Sequence, residues 1–303
     1  MGLSHGIAEE FINTSLSVST NEPMSRHTSF QIGGTADIFI SATSTDDIKK
    51  ALRLSKKLGL PYHIIGNGTN ILVSDSGIRG VVIQIKNGIS DIKVENDMIY
   101  AGAGALLSSV ASAATKHSLS GFERLGGIPG SIGGAVFMNA GAYEAQIGDI
   151  LVSSSYIDSN GECGIYNADE HCFGYRKSIY ADTDKIITGA VFKLKSAPLE
   201  QIKAEASEYA KRRRDKQPLT FPSAGSVFKR PEGHFAAALI EQAGLKGFCI
   251  GGACVSEKHA GFIINTGGAT ARDVIDLILH IKQTVYEKSS IMLECEIKML
   301  GDF

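Results

Sequence analysis

Apolar and polar positions along the chain change period several times, and each change predicts an element. Residues 36–40 form a short apolar run that reads as a strand, and Ser44-Thr45-Asp46-Asp47 after it reads as a helix start with acids in the first turn. Ile48, Leu52 and Leu58 follow at helical spacing until Gly59 and Pro61 close the helix. Residues 62–65, 81–85 and 98–101 read as strands, and 105–117 as a helix of small residues. From Ser153 the pattern becomes a hairpin around Ser159-Asn160-Gly161, because Asn-Gly supplies the backbone that a tight hairpin turn needs. A strand at 185–194 and a polar connecting helix at 199–215 follow. The last segment pairs an amphipathic helix, 271–288, with an alternating strand, 292–300. That helix has Asp273 near its start and Val274, Ile278, Ile281 and Val285 on one face. The interleaving gives α/β or α+β character, a boundary near Pro198 and no internal repeat.

At 303 residues the chain exceeds the size at which one core keeps growing, which predicts several packed lobes. No apolar stretch approaches the ~18 residues of a membrane span, and the first residues, with Glu9 and Glu10, lack the apolar core of a signal peptide. The expectation is a soluble, cytoplasmic protein without a membrane partner. A net charge of −2 gives it no electrostatic reason to seek nucleic acid. Cys163, Cys172, Cys249, Cys254 and Cys295 are odd in number, form no CxxC pair and have no His at metal-ligand spacing. They read as free thiols in a reducing compartment, and no metal site is expected.

Glycine is the unusual component, 34 of 303 residues, and it clusters. Gly66-Asn67-Gly68-Thr69-Asn70 follows a strand, and a second run extends from Gly126 through Gly127, Ile128, Pro129, Gly130, Ser131, Ile132, Gly133 and Gly134 to Ala135. Glycines let successive backbone N–H groups converge on phosphate oxygens, so two such loops in one domain predict a dinucleotide site. The Rossmann fingerprint fails: Gly102-Ala103-Gly104 has Leu107 where the third glycine belongs. No Walker A sequence exists either. A dinucleotide held outside both folds suggests the other large flavin architecture, with FAD between two α+β lobes.

Six motifs, taken together, resemble the UDP-N-acetylenolpyruvoylglucosamine reductase family over about residues 20 to 301. They are His27-Thr28-Ser29-Phe30-Gln31-Ile32-Gly33-Gly34; Gly66 through Asp75; Gly127-Ile128-Pro129-Gly130 through Tyr143; Phe173-Gly174-Tyr175-Arg176-Lys177-Ser178; Pro222 through Lys229; and Val255 through Phe262. The resemblance implies an α+β fold with a two-lobed FAD-binding domain of the vanillyl-alcohol oxidase (PCMH) type and a C-terminal α+β substrate domain. It suggests an N-terminal extension at 1–20, an FAD-binding domain at 21–197 with lobes of about 21–80 and 81–197, and a substrate domain at 198–303. It implies that NADPH reduces FAD and that the flavin reduces UDP-N-acetylglucosamine enolpyruvate to UDP-N-acetylmuramate, a peptidoglycan precursor. A monomer is a separate expectation, which no feature of the sequence fixes. Pro231 to Phe235 resembles the shorter subtype without an extra substrate-covering loop. Arg230 stands where many members have Asn, Cys254 where Gln is usual and Ala237 where Gly is common.

By the same resemblance, FAD contacts fall on Gly66, Asn67, Gly68, Thr69, Asn70, Ile71, Gly127, Ile128, Pro129, Gly130, Ser131, Gly133, Gly134, Ala135, Asn139 and Gly141. An enolpyruvyl group that accepts hydride leaves negative charge on its carboxylate. It therefore needs a fixed cation, a polar group holding the enolate, and an acid for the carbon bearing the ether. The family assigns these to Arg176, Glu296 and Ser226, and assigns substrate contacts to Tyr143, Arg212 and Lys216. For most of Lys211-Arg212-Arg213-Arg214-Asp215-Lys216 complementing a helix dipole is sufficient reason to exist. Two other classes remain open at this level: an FAD oxidase or dehydrogenase of the same fold acting on another alcohol or sugar, and a non-catalytic nucleotide-binding relative.

Overall fold

A computed structural model describes residues 5–86 and 88–303. Local signals hold where capping chemistry was visible. The helix Thr45–Lys57 starts at a reciprocal capping box in which Ser44 accepts from the Asp47 backbone and the Asp47 carboxylate accepts from the Ser44 N–H. Thr270 and Asp273 repeat that arrangement at the head of Ala271–Ser289, whose Val274, Ile278, Ile281 and Val285 are buried as the spacing predicts. The strands Leu151–Ile157 and Cys163–Asn167 flank the Ser159-Asn160-Gly161 turn, with Gly161 at φ 86°.

The chain divides into two compact units, and neither is one continuous segment. The first comprises Met1–Thr20, Ile38–Asn67 and Gly80–Arg213; the second comprises Asn21–Asp37, Gly68–Arg79 and Arg214–Phe303. This division cuts across the contiguous one at 197/198. Phe30, Ile32 and Leu72 lie in one apolar cluster with Val227, Ile240 and Val274, so packing assigns the early segments to the C-terminal unit.

An antiparallel sheet of five strands dominates the first unit, in the order Cys163–Asn167, Leu151–Ile157, Ile186–Lys193, Met98–Gly102 and Ile92–Glu95. A second sheet orders Ser17–Pro23, Thr35–Ala42, Ile78–Ile85 and Tyr62–Ile65, with the last two parallel. The glycines of the failed Rossmann motif serve packing. A side chain at Gly104 would strike the Lys86 carbonyl and one at Gly102 the Ile89 carbonyl, at 1.9 and 2.3 Å.

The second unit carries its own antiparallel sheet, Ser223–Ser226, Phe262–Asn265, Ala253–Val255 and Cys249–Ile250. The expected strand at 292–300 forms only over Lys298–Leu300, which pairs in parallel with Ile71–Val73. Leu293 and Ile297 are buried, so their alternation reflects packing into the core, while Phe228 and Cys295 form a single bridge rather than a ladder. The free-thiol expectation is corrected for one pair. Cys249 and Cys254 face each other across a hairpin turning at Gly251-Gly252, with Cα atoms 4.1 Å apart, and are joined as a disulfide. Cys163, Cys172 and Cys295 are free.

Candidate active site

In the first unit the two glycine loops converge. A side chain at Gly66 would come within 2.5 Å of the Ser131 hydroxyl, and one at Gly127 within 3.3 Å of the Arg213 guanidinium. The second loop is closed onto its own lobe by Leu107 N–H donating to Gly130 O, Ile132 N–H to Ala105 O and Gly133 N–H to Ala103 O. No acceptor among the described residues takes the N–H of Gly127 or Gly130. A glycine-lined cradle with uncommitted donors fits a pyrophosphate, so the residues present suit FAD. Ile128, Pro129, Gly134 and Ala135 belong to the same loop and the short helix Ile132–Phe137 that follows it.

Asn139, Tyr143, Glu144 and Arg176 all have positive φ, at 42°, 53°, 66° and 56°. Side chains with a Cβ rarely hold that backbone unless surroundings impose it. Here they do. Asn139 is buried, accepts from the Gly148 N–H at 2.9 Å and donates to Gly174 O at 3.0 Å. Gly174 and Lys177 exchange backbone bonds around the Arg176 turn, and the Arg176 guanidinium donates to Gly141 O at 3.1 Å and lies over the Tyr175 ring. Tyr143 packs against Tyr209 with ring centroids 4.7 Å apart and planes tilted by 39°, and its carbonyl accepts from Arg124.

Of the basic run, Arg212 pairs with Glu208 along its helix and sits over Tyr209. It is Arg213 that reaches the glycine loop, donating to Gly127 O. Burial pulls the Arg213 pKa down, against the opposing influence of Tyr143. Lys216 ends the helix Leu199–Lys216 in the second unit.

The second unit brings Ser226, Glu296 and Asn70 together. Glu296 N–H donates to Val227 O at 2.8 Å, directly after Ser226, and Lys229 N–H donates to Glu294 O at 2.8 Å. Asn70 donates from its side chain to Glu296 O at 3.3 Å and accepts at its own carbonyl from Lys298 N–H. Ser226 is exposed and Glu296 half-buried. Gly225 has φ 76° with open space on its Cβ side, which leaves the Ser226 neighbourhood uncrowded. Gly68, against which a side chain would meet His27 O at 1.9 Å, locks the rest of its loop to the His27-Thr28-Ser29 segment; Thr69 and Ile71 continue from it.

Residues 36–164 match the FAD binding domain model, and residues 217–300 match the C-terminal domain model of UDP-N-acetylenolpyruvoylglucosamine reductase. A reductase of that name from Clostridium botulinum strain Hall is 48% identical over 285 residues, spanning 94% of this chain and 93% of the relative. The chain belongs to the UDP-N-acetylenolpyruvoylglucosamine reductase family. A second relative, from Clostridium perfringens strain SM101, is 47% identical over 294 residues, with 96% and 95% coverage. The solved UDP-N-acetylenolpyruvylglucosamine reductase of Thermus caldophilus superposes with a TM-score of 0.81 at 32% identity, covering 94% of this chain and 99% of that one. Physcomitrella patens BBE-like 1, at 15% identity and a TM-score of 0.50 over 63% of this chain and 44% of that one, shares the fold alone.

As a member of this family the chain is an FAD-containing oxidoreductase. Its fold is α+β, with an FAD-binding part of the vanillyl-alcohol oxidase (PCMH) type and a C-terminal α+β part. Sequence reasoning did not single out Arg213 or Tyr209 for the family site. The only signal was helical spacing: Tyr209 and Arg213 fall one turn apart on the helix that also carries Glu205, the partner of Arg124 at 3.2 Å. Among the described residues no helix is long and apolar enough to cross a membrane, and no cluster of His, Cys, Asp and Glu could hold a metal.

Proposed function

We propose that this reductase converts UDP-N-acetylglucosamine enolpyruvate to UDP-N-acetylmuramate for peptidoglycan synthesis, in the cytoplasm and as a monomer, with NADPH as reductant. The observation that carries the chemistry is the backbone register setting Ser226 beside Glu296. The glycine loops would hold FAD, which when bound would supply hydride exchange between NADPH and the substrate double bond. Residues 21–197 supply the cofactor site together with the substrate contacts Tyr143 and Arg176, and 198–303 supply the remaining substrate groups.

The chain's own groups account for the rest. Arg176 binds the substrate carboxylate, since a guanidinium stays charged and matches a carboxylate with two parallel bonds. As hydride adds to the terminal carbon, charge spreads onto that carboxylate, and Arg176 and Glu296 hold the enolate geometry. The Ser226 hydroxyl gives its proton to the carbon that bears the ether. An alcohol is a weak acid, and the basic enolate carbon is the acceptor that makes it adequate. Tyr143, Arg212 and Lys216 contact the substrate.

Anaerobic half-reactions test this reading. The protein should purify yellow, its flavin should bleach faster with NADPH than with NADH, and UDP-N-acetylglucosamine enolpyruvate should reoxidise it. A flavin left reduced by that compound would refute the substrate assignment.

A further inference from the structure

The turn bearing Arg176 is fastened on both sides to a single buried hydroxyl. His171 precedes the turn and Tyr180 follows it, and both are buried. The Ser154 oxygen, on the strand Leu151–Ile157, second in the five-stranded sheet, lies 2.7 Å from His171 Nε2 and 2.6 Å from the Tyr180 hydroxyl. On the far side of the imidazole, Nδ1 lies 2.7 Å from the Asn167 carbonyl.

A carbonyl only accepts, so Nδ1 carries the imidazole proton and Nε2 of the neutral ring accepts. Ser154 must then donate to Nε2, which leaves its lone pairs for the Tyr180 O–H. The chain of bonds has one direction: Tyr180 to Ser154, Ser154 to His171, His171 to Asn167. Burial lowers the His171 pKa and pushes that of Tyr180 up to about 12, which keeps both groups in the protonation states this chain requires.

From this node contacts run to Arg176. The His171 ring stacks on Phe173 at 4.9 Å with planes 16° apart. Phe173 packs so closely on Gly148 that a Cβ there would sit 2.8 Å from the ring. Gly148 donates to Asn139, which holds the Gly174 carbonyl at the foot of the turn. On the other side, Ser178 donates to Phe137 O at 2.7 Å just before the short helix that contains Tyr180.

We propose that Ser154 is a positioning residue for Arg176, its hydroxyl tying both flanks of the Arg176 turn to one point of the five-stranded sheet. The inference rests on Arg176 being the cation that faces the substrate carboxylate. A guanidinium on a left-handed turn has no regular ladder to hold it, and the node replaces one. Displacing a charged group by about 1 Å can cost on the order of 10²-fold in rate.

The test is a double-mutant cycle on the FAD-loaded enzyme, with Ser154→Ala, Arg176→Lys and the double variant. Ser154→Ala should reoxidise with UDP-N-acetylglucosamine enolpyruvate roughly 10- to 100-fold more slowly. Its FAD content and its reduction by NADPH should match wild type. In the Arg176→Lys background the same change should cost less than about threefold, because a residue acting through Arg176 has nothing left to position. Equal losses in both backgrounds, or a wild-type rate for Ser154→Ala, overturn the proposal.

If Ser154→Ala does not fold, Tyr180→Phe removes one arm of the node while keeping the ring, and the cycle proceeds with it. A crystal structure of the variant gives an answer independent of what Arg176 does. The bond from Arg176 to Gly141 O should be lost, and its retention overturns the proposal. A wild-type rate for Arg176→Lys, with that bond lost in Ser154→Ala, would instead strike only the role given to Arg176.

Discussion

The two units hold their site residues by different means. In the first, Asn139, Tyr143 and Arg176 occupy left-handed backbone, and buried contacts keep them there: Asn139 to Gly148 and Gly174, Tyr143 to Arg124 and Tyr209, and the Ser154 node behind Arg176. In the second, Ser226 and Glu296 sit on short extended segments joined by a few backbone bonds, with open space beside Gly225. In the first unit the groups proposed to bind and orient stand on strained turns and are braced by packing. The proposed proton donor needs little bracing, because register alone sets it next to Glu296.

The contrast breaks most sharply at Ser226. Ser226→Ala is expected to slow flavin reoxidation by the enolpyruvyl substrate by about 10²–10⁴, the usual contribution of a positioned acid. Flavin reduction by NADPH should be unaffected, and Ser226→Cys should retain more activity than Ala. Stopped-flow measurement of the two half-reactions separates these outcomes. A wild-type reoxidation rate in Ser226→Ala would assign the proton to another group. In the first unit, Gly66→Ala puts a methyl 2.5 Å from the Ser131 hydroxyl where the glycine loops meet. Overpacking of about 1–3 kcal/mol corresponds to roughly five- to 150-fold weaker FAD. Equilibrium titration of the apoprotein checks this, and undiminished affinity would remove Gly66 from the cradle.

Replacing both Cys249 and Cys254 with Ser should lower the stability of the second unit by about 2 kcal/mol, the entropy of closing so short a loop. FAD retention should be unchanged, as followed by denaturant unfolding beside flavin absorbance. Acid should act on the first unit through His171. Its folded pKa lies below 6.5 because burial disfavours the cation, against the opposing pull of Asn167, Ala168, Glu170 and Asp169. The unfolded chain therefore takes up the proton first as pH falls. The stability owed to neutral His171 is intact above pH 6.5 and is lost as pH drops through 6.5 toward the folded value. The fall in melting temperature from about pH 7.5 to about pH 5.5 should shrink in His171→Asn, and an unchanged slope would assign the acid sensitivity elsewhere.

What could be read from sequence was whatever is local. Ser44 with Asp47 and the apolar face of residues 271–288 announced their helices because capping and periodicity are properties of a few adjacent residues. The six motifs carried the family because each is a short run of adjacent residues, met in one order along the chain. What lay beyond reading depends on distant packing. Nothing at Tyr143 or Arg176 advertises a left-handed backbone, since neither residue type favours it. Arg213 stood in a run of cations that a helix end explains without it. Ser154, one of three consecutive serines on a strand, gained significance only when His171 and Tyr180 folded onto it. The disulfide did leave a sign: Gly251-Gly252 between Cys249 and Cys254 is a hairpin turn that sets the flanking residues opposite each other.

The interleaved make-up of the second unit has a consequence in time. Segments Asn21–Asp37 and Gly68–Arg79 leave the ribosome well before Arg214–Phe303, which supplies most of their unit. Phe30, Ile32 and Leu72 are fully or almost fully buried in that unit's core, so during synthesis they wait without their partners while the first unit's remaining residues are made. At ~5–20 residues per second the wait is on the order of ten seconds, long compared with the microseconds of local collapse. A nascent chain stalled before Arg214 therefore leaves these three side chains without the core that buries them, and release of the last segment supplies it.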